Sequence, residues 1–340
     1  MDVALHPQPV GSEPTVVNCY GFFDHMASGL AIDFDLTEGI YHGDESIPYR
    51  QAQENQVNWL LDQVGCTRGS RILDIGCGNG RLLAAAQRRG AKASGITISP
   101  PQVERCRRLG RDARLLNYRD IGEEWNGRFD GIVANGSIEH FVQPQDVLAG
   151  RMDEIYRELF AICHRLLDPE SPARRLVTTV IHQHEQSPMP AVEDLLKSPW
   201  AFRWKSSYFH FAMVLRGFGG YYPTLGQLAR CGAPGFRLIE EVDGTEDYRI
   251  TSDTAFGVLR RQLVRWPSAL LLWPRLLTFV GRHPVQGTTL GVGLLISESW
   301  QWQFRGSLPP TRLLRQVWQC ESPADGAAVG SCDTLVGPLT

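Results

Sequence analysis

The chain has 340 residues, 43% hydrophobic and 21% charged, and 34 basic against 37 acidic side chains leave a formal net charge of −3. That composition excludes a mainly disordered chain, and the lack of a positive excess argues against a nucleic-acid binder. The length suits one large domain, or a core domain with substantial additions.

Eight cysteines (Cys19, Cys66, Cys77, Cys106, Cys163, Cys231, Cys320, Cys332) form no CxxC pair. Neither a zinc site nor a disulfide framework is expected, no metal ligand is assigned, and a reducing cytoplasm is the expected compartment. The N-terminus has no basic segment followed by an apolar one, so no signal peptide is read. The most apolar stretch, 266–280, is interrupted by Pro267, Pro274 and Arg275 and is too short for a membrane span; it reads as an ordinary buried helix, with a segment resting on a membrane surface as the alternative.

Residues 1–18 read as a loose arm, and 19–50 as an aromatic, acidic segment. From residue 51 the apolar spacing of Val57, Leu60, Leu61 and Val64 predicts a helix. Strands are expected at 71–75, 91–98, 113–116, 129–134 and 176–181, alternating with helices that include 152–167. This alternation over 51–184 predicts a cofactor-binding core: a doubly wound, seven-stranded, mostly parallel α/β sheet. Residues 185–235 carry many aromatics between Pro and Gly and read as an insertion over the open end of the sheet. Within 236–306, late strands are expected at 236–242 and 288–297, with a helical stretch over 254–280 between them. Residues 307–340 read as a Gly-, Ala- and Ser-rich tail, partly disordered.

Leu73-Asp74-Ile75-Gly76-Cys77-Gly78-Asn79-Gly80 is the most informative segment. A buried strand runs into three glycines at alternate positions, and a helix N-terminus with free N–H groups follows. The spacing is GxGxG, whereas the dinucleotide fingerprint is GxGxxG. The segment resembles the first motif of class I S-adenosylmethionine methyltransferases. The following Gly95-Ile96-Thr97-Ile98-Ser99-Pro100-Pro101-Gln102 lacks the ribose-binding acid of most such enzymes and resembles the cyclopropane fatty-acid synthase family. Further matches to that family are Asn117-Tyr118-Arg119-Asp120, Asn135-Gly136-Ser137-Ile138-Glu139-His140-Phe141 and Glu246-Asp247-Tyr248-Arg249. Phe22-Phe23-Asp24 and Tyr41-His42-Gly43 match its lid over the cofactor.

The resemblance implies S-adenosyl-L-methionine as cofactor. It implies contacts from Tyr41, His42, Asp74, Gly76, Gly78, Gly80, Thr97, Ile98, Gln102, Tyr118 and Asn135. Glu139, His140, Tyr248 and His182 are the catalytic candidates. The family removes a proton after methylating an alkene, using bicarbonate held by a Cys, a Glu, a His and a Tyr. Glu139 and Tyr248 match two of these; the Cys aligns with Gly43, and the His falls near Val180, with His182 the closest candidate. Two holders are therefore missing, which favours methyl transfer to a heteroatom of a small molecule. A thioether such as 4-methylthio-2-hydroxybutyrate is the specific expectation, with Arg203, Lys205 and Arg216 as candidates for its carboxylate. Methylation of a lipid double bond is the alternative. A non-catalytic cofactor-binding module or a dinucleotide enzyme is a third reading, opposed by the glycine loop with Thr97, Gln102 and Glu139. The sequence does not speak to oligomeric state.

Overall fold

A computed structural model of the chain describes residues 14–27 and 36–321, except 188 and 234. In chain order, helices α1 (Pro14–Ala27) and α2 (Tyr49–Gln63) lead into β1 (Arg71–Ile75), α3 (Arg81–Arg88), β2 (Lys92–Thr97), α4 (Pro100–Arg108), β3 (Asp112–Leu115) and β4 (Gly131–Asn135). Then come α5 (Pro144–Leu148), α6 (Met152–Leu166), β5 (Arg175–Gln183), α7 (Val192–Leu195), α8 (Ser207–Phe218), α9 (Gln227–Gly232) and β6 (Phe236–Asp243). Four helices, α10 (Thr245–Val264), α11 (Ser268–Arg282), α12 (Pro284–Val292) and α13 (Ser299–Trp302), precede β7 (Thr311–Cys320).

The seven strands form one sheet in the order β3-β2-β1-β4-β5-β7-β6. β1 to β5 pair in parallel, and β7 runs antiparallel between β5 and β6. Successive strand residues point to opposite faces, and the cores follow that rule. Ile72, Val133, Val177 and Val317 meet α2 and α3 on one face. Their neighbours Leu73, Ile132, Leu176 and Trp318 meet α6 and α9 on the other. A further cluster joins α1, α8 and α10 to α13 around Phe22, Phe23, Phe218, Phe256 and Trp300. The strand order reverses at β1, which pairs β2 on one side and β4 on the other. At such a switch point the loops leave in opposite directions and open a crevice at the carboxyl ends of the strands.

Three sequence expectations change. Residues 288–297 are helical: they end α12 and continue as a π-helical turn, Gly293–Ser297. The apolar run fits either period, and Leu290 and Leu294, four residues apart and both buried, settle it through packing against the helical layer. The expected tail contains β7, whose Trp318, Val317 and Arg315 are buried. Arginines and glutamines in Thr311–Cys320 mask its strand character; residues 322–340 lie outside the described residues. The expected loose arm is helical from Pro14, with Val16 buried, and residues 1–13 lie outside the described residues.

Candidate active site

A cleft of about 1750 Å3, mouth included, opens at the carboxyl ends of β1, β2 and β4. Its floor is the glycine loop. Gly76 has φ +85°, and a Cβ there would lie 2.5 Å from Ser137 Cβ, so only glycine lets the loop pass the end of β4. The loop is tied down by Gly76 N–H and Cys77 N–H, which both donate to Ile96 O at 2.9 and 3.0 Å. Gly78, at φ +51°, faces open space. Gly80 starts α3 at φ +74°, crowded by Arg111 and Cys106, and does not line the cleft.

Around this floor the structure gathers Asp74, Gly76, Gly78, Thr97, Ile98, Gln102, Tyr118, Asn135, Glu139, His140 and Tyr248. Thr97 Oγ1 donates to Gln102 Oε1 at 2.7 Å and accepts from Ser99 N–H, which fixes both side chains at the end of β2. Tyr118 stacks on Phe141 with centroids 4.3 Å apart, a flat apolar wall. Burial pushes the Asp74 carboxyl up to about 7, with Cys106 adding to it.

Four expected residues lie elsewhere. His42 is exposed. Tyr41 is buried with Ala52 and Ile250 in a small separate cluster. Gly80 is the helix start described above. His182 is fully buried in β5, its Nδ1 3.0 Å from Val180 O, and burial holds its imidazole down to about 4.

The other end of the cleft is built from distant parts of the chain. α1 contributes Val16, Val17, Tyr20 and Phe23, while its Asp24 reaches back to accept from Asn79 Nδ2 of the glycine loop at 3.2 Å; the segment before α2 contributes Glu38, and α10 and α13 contribute Tyr248 and Trp300. The Phe22-Phe23-Asp24 match pointed to this helix. Tyr20, Glu38 and Trp300 were not anticipated; the Trp300-Gln301-Trp302 pair was an available signal, and Glu38 had none. Residues 28–35 of the expected lid lie outside the described residues.

Glu38 is buried and accepts from Asn135 Nδ2 at 2.7 Å. Asn135 Oδ1 accepts from Gln56 Nε2, and Gln56 Oε1 accepts from Arg315 Nε. Arg315, 2% exposed, also pairs with Asp247 at 3.0 Å and donates to Gly39 O. This buried chain of polar contacts runs from β7 to the cleft and positions Glu38.

Glu139 sits in the turn after β4. Burial, then the neighbouring Glu38 charge, pushes its carboxyl up to about 8, so it carries a proton at neutral pH. Burial lowers His140 to about 4, so its ring is neutral there. Tyr20 Oη and His140 Nε2 are 2.8 Å apart. Burial holds Tyr248 well above the phenol range, with Glu38 and Glu139 adding to it. The cations on the cleft wall, Arg81 and Arg119, belong to α3 and the turn after β3, not to the elements that carry this cluster.

None of the described residues in 185–235 lines the cleft. The insertion instead braces it from behind. Gly220 N–H donates to Gln143 Oε1, and a Cβ on Gly220 would lie 2.2 Å from Glu139 O. Arg203 and Lys205 are exposed and Arg216 donates to Leu196 O, all off the cleft.

Asn79 Oδ1, Ser99 Oγ, Tyr118 Oη and Glu139 Oε2 are buried cleft atoms with no hydrogen-bond partner among the described residues. Buried polar atoms are costly to leave unmatched. With the glycine floor and the Tyr118 wall, they fit an elongated ligand that is polar along its length and flat at one end.

Comparison with known proteins agrees with this architecture. The profile of the mycolic acid cyclopropane synthetase family matches residues 39–253, more than half of the chain. The fold is similar to cyclopropane synthase MmaA2 from Mycobacterium tuberculosis, with a TM-score of 0.63 and 18% identity, covering 90% of this chain and 97% of that one. It is also similar to mycolic acid cyclopropane synthase CmaA1 complexed with SAH and CTAB, with a TM-score of 0.61, 18% identity and the same coverage. Among curated relatives, the ubiquinone biosynthesis O-methyltransferase of Pseudomonas aeruginosa is 31% identical over 128 residues, 36% of this chain. The chain spans about half the length of the curated relatives it matches.

Proposed function

The chain belongs to the mycolic acid cyclopropane synthetase family, whose members are S-adenosylmethionine-dependent methyltransferases, and on that premise we propose that it methylates a heteroatom of a small neutral molecule. When bound, S-adenosylmethionine supplies an electrophilic methyl carbon on a cationic sulfur. Gly76 and Gly78 would leave room for its methionine part, Thr97, Ile98 and Gln102 would hold its ribose, and Tyr118 and Phe141 would flank its adenine.

One observation carries the choice of acceptor. The positions matching two of the family's four bicarbonate holders are off the cleft: Gly43 is exposed and Val180 is buried in the core, as is nearby His182. What remains is Glu139, protonated beside Glu38, with no Lys or Arg among the described residues of that end. A buried anion without a cation is strongly disfavoured. An acceptor that carries its own lone pair and has no proton to lose has no need of such a base.

A thioether loses no proton, so the chain has only to position it and exclude water. The ring faces of Phe23, Tyr248 and Trp300 favour a cationic sulfonium product. The absence of a cation at that end argues for a neutral thioether over the carboxylate 4-methylthio-2-hydroxybutyrate. A hydroxyl acceptor is a second reading, favoured by the Tyr20–His140 pair: His140 is neutral and free to accept a proton, although burial weakens it as a base. Lipid-alkene methylation remains the competing chemistry.

The test is a panel of neutral thioethers, phenols and cis-unsaturated phospholipids incubated with enzyme and cofactor, with products read by mass spectrometry. A sulfonium or methyl ether is expected. Methylated or cyclopropanated lipid alone would reject the reading.

A further inference from the structure

α11 departs from the pattern of a surface helix. Leu272 and Leu276, four residues apart, are buried and seat it on the helical layer. A helix seated that way ordinarily presents polar residues to solvent. Here the outward residues are Leu270, Leu271, Trp273 and Leu277, and the turn leading into the helix adds Val264 and Trp266. Leu277 is 63% exposed, Trp266 74% and Val264 82%. Exposed apolar surface of this size on one element marks an interaction site.

Charge identifies the partner. Residues 254–297 contain Arg260, Arg261, Arg265, Arg275 and Arg282 and no Asp or Glu, in a chain that is net negative. Arg260 pairs with Glu298 at 2.6 Å, and Arg275 donates to His25 O at 2.8 Å. Arg261, Arg265 and Arg282 are exposed around the apolar face. Apolar side chains flanked by arginines and two tryptophans suit the boundary between lipid headgroups and acyl chains. A second copy of this chain fits less well. A symmetric contact would set the arginines against their own counterparts with no acid between them. The helix does not cross a bilayer: fifteen residues reach only about 22 Å, and no described helix is long and apolar enough to span one.

The location gives the surface a use. α11 and the start of α12 lie against the back of α1. Phe22 and Phe279 rings are 4.8 Å apart, Asn18 meets His283 at 3.4 Å, and Gln286 donates to Thr15 O at 2.7 Å. The other side of α1 carries Tyr20 and Phe23 into the cleft. A single helix therefore separates the apolar surface from the acceptor end.

We propose that the turn between α10 and α11 and the outer face of α11 dock on an anionic lipid bilayer, placing the cleft next to molecules that partition into it. The proposal concerns where the enzyme works, and it stands whichever atom is methylated.

The experiment is vesicle co-sedimentation of the full chain with phosphatidylcholine alone and with phosphatidylcholine plus phosphatidylglycerol. The chain should pellet with the mixed vesicles at low salt and remain largely in solution with the neutral ones. Arg265→Gln/Arg282→Gln and Leu270→Gln/Leu277→Gln change only exposed side chains, so each should keep its melting temperature and cofactor affinity. Each should also lower the partition coefficient about tenfold or more. Failure of the parent chain to bind mixed vesicles would overturn the proposal, as would either double variant pelleting like the parent. A parent dimer that Leu270→Gln/Leu277→Gln makes monomeric would also overturn it, assigning the face to a second copy.

Discussion

The two ends of the cleft are built differently. The cofactor end comes from short segments, each a strand end and the turn that follows it, within residues 74–119, with Phe141 stacked on Tyr118. The acceptor end joins α1, Glu38, the turn after β4, α10 and α13, elements separated by up to about 280 residues. A local motif can encode the first end because one strand and one turn determine where its side chains go. The second exists only when the helical layer is packed, so its chemistry can drift while the fold and the cofactor end persist.

Substitutions that separate the two ends sharpen this comparison. The largest effect is expected at Gly78, whose missing Cβ faces open cleft. Gly78→Val should abolish cofactor binding in calorimetry, while its positive φ costs about 1–2 kcal/mol of stability and leaves the chain folded. Unchanged affinity would remove the glycine loop from the site.

At the acceptor end, His140→Asn should leave cofactor affinity and thioether turnover within a few-fold. Turnover of any hydroxyl acceptor should fall by about 10²–10⁴. Equal loss on both acceptor types would show that His140 positions the acceptor and moves no proton.

Gly220→Ala tests the brace behind that end. A Cβ would meet Glu139 O at 2.2 Å, so the Glu139–His140 turn must shift. Destabilisation of about 1–3 kcal/mol in urea unfolding is expected, with turnover lost and cofactor binding retained. Full turnover would separate the insertion from the site.

The smallest effect is a pH slope. Glu139 is raised from an ordinary carboxyl to about 8, so the folded chain holds a proton that the unfolded chain releases. This contribution is fully present below the unfolded carboxyl range and is lost as pH rises through about 8. Glu139→Gln removes it. Relative to the variant, the parent should lose up to about 1.4 kcal/mol of stability per pH unit between pH 5.5 and 7.5. Parallel unfolding curves for the two across that range would place Glu139 in a less buried setting.

The same division explains what the sequence revealed. The parallel core and Thr97, Gln102, Tyr118, Glu139 and Tyr248 were legible because each sits in a contiguous pattern. Glu38 was not, because its place depends on the relay through Asn135, Gln56 and Arg315, and Arg315 comes from β7. β7 itself was hidden because the arginine that pairs with Asp247 and the glutamines beside it read as surface. Tyr41 was drawn toward the site by its motif, yet its ring packs with Ala52 and Ile250. The aromatics of 185–235 were assigned to the cleft by composition, which says nothing of direction; Phe218 and Tyr222 pack behind it, and Trp200, Trp204 and Tyr208 are exposed.

The central claim is that the acceptor end does not hold bicarbonate as a base. Each of the two missing polar holders would be worth about 1.5–3 kcal/mol to a buried anion. The direct measurement compares turnover of a neutral thioether and of a cis-unsaturated phospholipid with bicarbonate depleted and then restored. Sulfonium product at a rate indifferent to bicarbonate is predicted; cyclopropane product that rises with bicarbonate, with no sulfonium formed, would contradict the account.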